Sequence, residues 1–311
     1  MSKFLVTGGA GFIGSEICHL LISLNHEVTV LDNLSSGHLE NINDLLHFDS
    51  FHFIKGDISD FQVCLKASKD VSYIIHQAAL VSVPRSIEEP LLNNETNITG
   101  FVNILEAARI NHVKKVVYAS SSAVYGDNQD EIKTEERLGN VLSPYALSKK
   151  TNEEYAHLYQ RLYNLATVGL RYFNVYGEKQ DPSSVYSGVI SIFFKKALEK
   201  QPLTIYGNGL ITRDFVNVLD VAKANLLACL CDKAENGVYN IGTGNQVTIK
   251  DLALLVLKVM DLELPINYRQ ARVGDILFSC ADVDKAKNDL GFVANISLED
   301  GLKQMAQHLK K

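Results

Sequence analysis

The stretch "VTGGAGFIG" constrains this chain most. It spaces Gly8, Gly11 and Gly14 three residues apart, where a β-branched run gives way to an amphipathic one. Gly8 permits a tight turn, Gly11 keeps a side chain out of the path of backbone amides, and Gly14 lets the helix pack directly on the strand. The helix then offers its amino end, with unsatisfied amides, to an anion such as a pyrophosphate. "TVLDN" closes a second strand at Asp32, about twenty residues beyond the glycines, where a carboxylate accepts from an adenine-ribose 2′-hydroxyl and repels a 2′-phosphate. Together these features point to a dinucleotide, NAD rather than NADP.

The same rhythm continues downstream. "EVTVLD", "FHFIKGD", "VSYIIHQAA", "KKVVYAS" and "ATVGLRY" alternate with helical runs, among them a long helix from about Asn93 to Asn111 and another opened by "SPYALSK". Such alternation predicts a Rossmann-type, doubly wound parallel α/β sheet. After Asn174 the pattern loosens into short strands such as "PLTIYGNG", "RDFVNV", "GVYNIG" and "INYR", with no long linker. The expected organisation is a dinucleotide domain over 1–174, receiving segments from about 214–242, and a smaller interleaved α/β substrate lobe over most of 175–311. A chain of 311 residues with 46% hydrophobic composition can bury a core of that size.

Charge and cysteine usage exclude several classes. The net charge of −6 comes without a block of Lys or Arg, so no nucleic-acid footprint is present. An anionic ligand must then be held by a few placed arginines. Cys18, Cys64, Cys229, Cys231 and Cys280 form no disulfide framework, and the C-x-C at 229–231 lies in an apolar helical run, so buried thiols rather than a metal site are expected. No apolar run reaches membrane-spanning length and no signal-peptide pattern opens the chain; a soluble, cytoplasmic protein in a reducing compartment is expected.

"SPYALSK" carries the second piece of chemistry. Ser143 suits an N-cap and Pro144 the first helical position. Tyr145 and Lys149 then fall one turn apart on one helix face. An ordinary phenol, with a pKa of about 10, is a poor base at neutral pH; a neighbouring ammonium and an oxidised nicotinamide would both favour its phenolate.

With "KGDISD", "HQAA", "NITGFVNILEAA", "ASSSAVYGD", "LRYFNVYG", "YGNGLITRDFV" and "RVGD" added, nearly the whole chain resembles the extended short-chain dehydrogenase/reductases. Within them it is similar to the nucleotide-sugar 4-epimerases, the UDP-N-acetylglucosamine group in particular. The resemblance implies NAD contacts from Gly8, Gly11, Phe12, Ile13, Asp32 and Asn33. It adds Asp57 and Ile58 about the adenine, Ala78 and Ala79 along the dinucleotide, and Tyr172. Ser121, Tyr145 and Lys149 are implied as catalytic, with Lys149 also on the nicotinamide ribose. The implied reaction is removal of the sugar 4-hydroxyl proton by Tyr145, hydride transfer from C4 to NAD, turning of the 4-keto sugar, and return of the hydride to its other face. Related dehydratases carry an acidic pair where this chain has Ser122 and Ala123, so that route lacks its groups; decarboxylation is disfavoured less strongly.

Substrate contacts are implied residue by residue. Arg213 and Arg272 match the diphosphate arginines and Asp275 the acid near the uridine ribose. Ile205 and Tyr206 pack beside the base, Asn174 lies near the diphosphate or sugar, and Ser122 and Val189 also line the site. Ser279 matches a gatekeeper seven residues after Arg272; a small residue there leaves room for a 2-N-acetyl group. Ser82 and Gln180 match the N-acetyl-preferring group, although Val81, Leu277 and Phe278 depart from its pattern. The expected substrates are UDP-N-acetylglucosamine and UDP-N-acetylgalactosamine, or their uronic acids with Arg85 as the cationic partner. UDP-glucose is the alternative sugar, and a non-catalytic NAD-binding regulator the alternative class. A homodimer through the 93–111 and Tyr145 helices is also implied.

Overall fold

The computed structural model describes residues 1–180, 188–234, 236–271 and 276–309; Arg272 and Asp275 lie outside them. Seven strands form the central sheet: β1 (Lys3–Thr7), β2 (Glu27–Asp32), β3 (Phe51–Lys55), β4 (Tyr73–His76), β5 (Lys115–Ser121), β6 (Ala166–Tyr172) and β7 (Asn236–Ile241). Every pairing is parallel, and the spatial order is β7-β6-β5-β4-β1-β2-β3. Parallel neighbours need crossovers, and these bring helices to both faces: α1 (Phe12–Ser23), α2 (Phe61–Ala67), α3 (Gly100–Ile110), α4 (Pro144–Tyr163) and α5 (Val218–Leu230).

Because side chains alternate along a strand, adjacent residues feed opposite cores. Val6, Ile75 and Val117 pack with Ile17 and Leu21 of α1 and Val221 of α5. Their neighbours Leu5, Ile74 and Val116 pack with Phe101 and Ile104 of α3 and Ala156 of α4. The chain leaves β1 in one direction through β2 and β3, then returns to β4 on β1's other side. A crevice therefore opens at the carboxyl ends of β1 and β4, where ligands bind in sheets of this topology.

One element differs from expectation. The helix expected from Asn93 to Asn111 is a helix at Pro90–Asn94, a π-helical turn at Glu95–Thr99, and α3. The widened turn serves Asn97, whose Nδ2 donates to Leu80 O at 3.0 Å and whose Oδ1 accepts from Leu80 N at 2.7 Å. "GVYNIG" supplies β7, the outer strand of the main sheet beside β6.

The other short strands pair in twos. Asn174–Tyr176 runs beside Phe215–Asn217, Leu203–Tyr206 beside Ile266–Arg269, and Ile132–Lys133 beside Cys280–Ala281. The last pairing ties the loop before α4 to the segment carrying Ser279. Helices at Val189–Leu198, Ile249–Met260 and Leu298–Leu309 enclose a further apolar cluster around Phe193, Leu252 and Leu302. Among the described residues, no helix is long and apolar enough to cross a membrane.

Candidate active site

The glycine turn sits in the crevice at the end of β1. Gly8 has φ +69°, and a Cβ there would stand 2.6 Å from Ala78 N at the end of β4. A Cβ at Gly14 would overlap Gly8 O, so α1 can rest on the turn only with glycine there. Gly11 is different: its added Cβ would meet only Gly8 O, at 3.2 Å, and it caps α1 without any side-chain bond to the first-turn amides. The amino end of α1, at Phe12 and Ile13, thus presents bare backbone, the surface a diphosphate requires.

Asp32 closes this end. Its Oδ2 accepts from Ala10 N at 3.0 Å and its Oδ1 from Leu34 N at 2.8 Å. The carboxylate therefore braces the glycine turn as well, and each oxygen keeps another lone pair for a ribose hydroxyl. Asn33 Nδ2 donates to Asp57 Oδ2 at 2.6 Å, and Ser59 N donates to Asp57 Oδ1 at 2.8 Å. Burial works to raise the Asp57 carboxyl; these bonds overcome it and hold the group below its usual range. Ile58, 5% exposed, lies beside them. Ala78 and Ala79 continue β4, with Ala78 N donating to Thr7 Oγ1 at 3.3 Å. These residues fit NAD.

The candidate catalytic residues converge at the carboxyl end of β5 and the first turns of α4. Ser143 Oγ accepts from Ala146 N at 3.1 Å and Pro144 occupies the first turn, as the sequence predicts. Tyr145 N is held by Ser86 Oγ at 3.1 Å. Ser121, the last residue of β5, has its hydroxyl beside the Tyr145 side chain, where it favours the phenolate, and accepts from Ala123 N at 3.1 Å. Lys149, 2% exposed, donates from Nζ to Ala119 O at 2.8 Å and lies 5.8 Å from the Tyr145 ring centroid. Tyr172 presents its ring at the end of β6, its hydroxyl fixed by Gln77 Nε2 at 3.0 Å and Asn225 Nδ2 at 2.8 Å.

The sequence reading assigns the phenolate to Lys149 and an oxidised nicotinamide together. In the protein alone, burial pushes the phenol above its ordinary range, with the Ser121 hydroxyl opposing, and burial lowers Lys149 to about 8. Desolvation disfavours the charged form of both groups, so the lysine alone does not produce a phenolate. A further positive charge, such as an oxidised nicotinamide, must contribute.

The substrate side is less uniform. Arg213 Nη1 donates to Thr212 O and Ile276 O, both at 2.8 Å, while Thr212 N donates to Leu277 O at 3.0 Å and Asp214 N to Ser279 O at 2.9 Å. Arg213 and Ser279 therefore belong to one ladder. Asn174 opens a strand beside Phe215, and Val189 opens the helix that Gln180 reaches, its Oε1 accepting from Ser191 Oγ at 3.0 Å. Ser122 begins the short helical turn after Ser121. Three expected contacts are otherwise engaged. Ile205 is 1% exposed in the lobe's apolar cluster, and strand alternation leaves Tyr206 as the outward side chain. Ser82 Oγ caps the helix at Val83–Glu88, accepting from Arg85 N. Arg85 Nε donates to Glu89 Oε2 at 2.6 Å.

Three organising residues escaped the sequence reading. Asn97 joins the segment after Ala79 to α4, through Ser148 Oγ at 3.2 Å. Lys179 Nζ stands 3.0 Å from Glu16 Oε1, tying the segment before Gln180 to α1. Asp214, fully buried, accepts from Thr243 N, Gly244 N and Ala281 N, fixing the turn and strand that flank Ser279. Asn97 sits in the polar stretch "NNETNIT" and Asp214 directly follows Arg213, so nothing local marks either of them or Lys179.

A dinucleotide cradle at the switch point, with Ser, Tyr and Lys at the adjacent strand end, defines an NAD-dependent enzyme of the extended short-chain dehydrogenase/reductase class. The chain belongs to the NAD dependent epimerase/dehydratase family, whose sequence profile matches residues 4–242. Its structure is similar to that of a UDP-N-acetylglucosamine 4-epimerase from Methanobrevibacter ruminantium, in complex with UDP-N-acetylmuramic acid: TM-score 0.95, 38% identity, covering 99% of this chain and 98% of that one. A UDP-glucose 4-epimerase from Thermotoga maritima, with UDP-glucose, gives TM-score 0.93 at 38% identity over 99% and 98% of the chains. A Thermus thermophilus UDP-glucose 4-epimerase, in complex with NAD, gives 0.89 at 35% identity over 99% of each.

Proposed function

We propose that this enzyme epimerises C4 of UDP-hexoses through a 4-keto sugar, and that UDP-N-acetylglucosamine and UDP-N-acetylgalactosamine are its preferred pair. The assembly of Ser121, Tyr145 and Lys149 beside the glycine turn carries the reading. Bound NAD supplies a hydride acceptor that is restored within each turnover. Tyr145 accepts the 4-hydroxyl proton, Ser121 holds that hydroxyl and the phenol in line, and Lys149 adds positive charge from one helical turn away. Segment 1–174, with 214–242, is assigned to the dinucleotide and most of 175–311 to the UDP-sugar. Arg213 is assigned to the diphosphate, a role suited to a planar, permanent cation.

The sugar preference rests on Ser279, a small residue on a segment that Asp214 holds in place. Proton NMR tests both levels, with UDP-N-acetylglucosamine and UDP-glucose supplied separately to wild type and Ser279→Tyr. A new galacto anomeric signal from the N-acetyl sugar, lost selectively in Ser279→Tyr, is expected. Equal loss for both sugars would remove the gatekeeper role, and inertness toward every UDP-sugar with NAD supplied would remove the activity.

A homodimer is proposed along α3 and α4. Leu147, Leu158 and Leu162 fall on one face of α4 and are 52%, 41% and 59% exposed, with Ile110 of α3 at 40%. Sedimentation velocity should show a dimer that Leu158→Glu converts to monomer; a wild-type monomer rejects the assignment.

A further inference from the structure

Glu153 and Arg171 form a pair that neither binding nor chemistry requires. Glu153 lies on α4, one turn beyond Lys149 and two beyond Tyr145, on the same helix face. Arg171 projects from β6 to the same side of the sheet. The two side chains are 9% and 3% exposed, and the guanidinium meets the carboxylate with a two-pronged fork, Nε at 2.9 Å and Nη2 at 2.7 Å. Ser120 Oγ donates to the same carboxylate at 2.5 Å. The third guanidinium nitrogen, Nη1, donates to Tyr125 Oη at 3.1 Å and to Glu135 O at 2.9 Å.

Burying such a pair is poor economy if stability is the aim, since matched apolar side chains would do as well or better. What the pair provides is direction. An apolar contact tolerates a helix that slides or rotates slightly; a planar fork with two parallel hydrogen bonds does not. Its anchor points also matter. Three successive residues at the end of β5 face α4: Ala119 and Ser120 are hydrogen-bonded to Lys149 and Glu153, and the Ser121 hydroxyl lies beside Tyr145. Arg171 extends the clamp to Tyr125, in the short helical turn that Ser121 caps. The charged pair thus holds both the helix bearing the base and the turn bearing the serine.

Resting on the epimerase reading, we infer that Glu153 and Arg171 are positioning residues that set the register of Tyr145 and Lys149 against Ser121. Proton transfer needs the two reacting atoms in hydrogen-bond reach, and a misplacement of about 1 Å costs on the order of 100-fold in rate.

The test compares wild type, Glu153→Gln and the apolar triple variant Ser120→Ala/Glu153→Leu/Arg171→Met, each as the NAD-containing holoenzyme. Turnover of the UDP-sugar that wild type converts, KM, bound NAD and thermal midpoint are measured for each. Glu153→Gln is expected to lose about tenfold or more in kcat with KM within about twofold and NAD retained. The triple variant is expected to regain the wild-type midpoint without regaining kcat. Recovery of kcat together with stability would make the pair merely structural and overturn the inference, as would an unchanged kcat in Glu153→Gln. Crystal structures of the wild-type and triple-variant holoenzymes give a readout independent of turnover. The separation of Tyr145 Oη and Ser121 Oγ should lengthen by about 0.5 Å or more, the tolerance of a catalytic constellation; superposable positions would refute it. Failure of the epimerase reading has a different signature, an inert wild type.

Discussion

Replacing Lys149 with Met should make the NAD-free protein more stable at neutral pH while abolishing its turnover. Lys149 is 2% exposed, and burial lowers it from 10.5 to about 8. At about 1.36 kcal/mol per pKa unit, holding that ammonium inside costs on the order of 3 kcal/mol at pH 7. The direction follows from proton counting. Between about 8 and 10.5 the unfolded chain keeps a proton that the folded one has released, so stability rises with pH across that window. It is fully regained above the unfolded value and fully lost below the folded one. Met has similar length and no charge, so Lys149→Met removes the penalty. It also removes the bond to Ala119 O, which takes back about 1 kcal/mol at every pH. The net gain at pH 7 is about 2 kcal/mol, or about 3 °C in thermal midpoint for a chain of this length. Between pH 7 and pH 9.5 the gain should shrink by about 2 kcal/mol as the wild-type lysine is relieved. Circular dichroism melts of both proteins at the two pH values, after removal of dinucleotide, measure the difference while titrations common to both cancel. A variant less stable at pH 7, or a difference that does not move with pH, would refute the reasoning.

Two further outcomes are expected. Tyr145→Phe should retain NAD and the wild-type midpoint, because its backbone amide stays on Ser86 Oγ, yet lose turnover by about 100-fold or more, the range of a removed general base; substantial residual kcat would assign the base elsewhere. Gly14→Ala should yield protein that is unfolded or free of NAD, since its methyl would overlap Gly8 O, and a folded variant with normal NAD content would show that the turn can relax.

The sheet was legible because its signals are local. Consecutive apolar residues such as Ile74-Ile75 and Val116-Val117 announce strands buried on both faces. Ser143 and Pro144 announce the start of α4, and the glycine spacing with Asp32 announces the dinucleotide end. Tyr145, Lys149 and Ser121 could be nominated for the same reason: one helical turn and one strand end suffice to bring them together.

What the sequence alone determined, then, was the set of elements and the chemical groups they carry. Only the tertiary structure decided how those groups behave, because burial and partners come from residues far away in the chain. It set burial against the charged forms of both Tyr145 and Lys149, raising the one and lowering the other. It sent Ile205 inward and gave Arg85 to Glu89, and it used Ser82 as a helix cap. It also joined Glu153 to Arg171 and Asp214 to Ala281; in each pair a charge that the sequence would leave in water became a buried anchor, for which periodicity within one helix or strand carries no information.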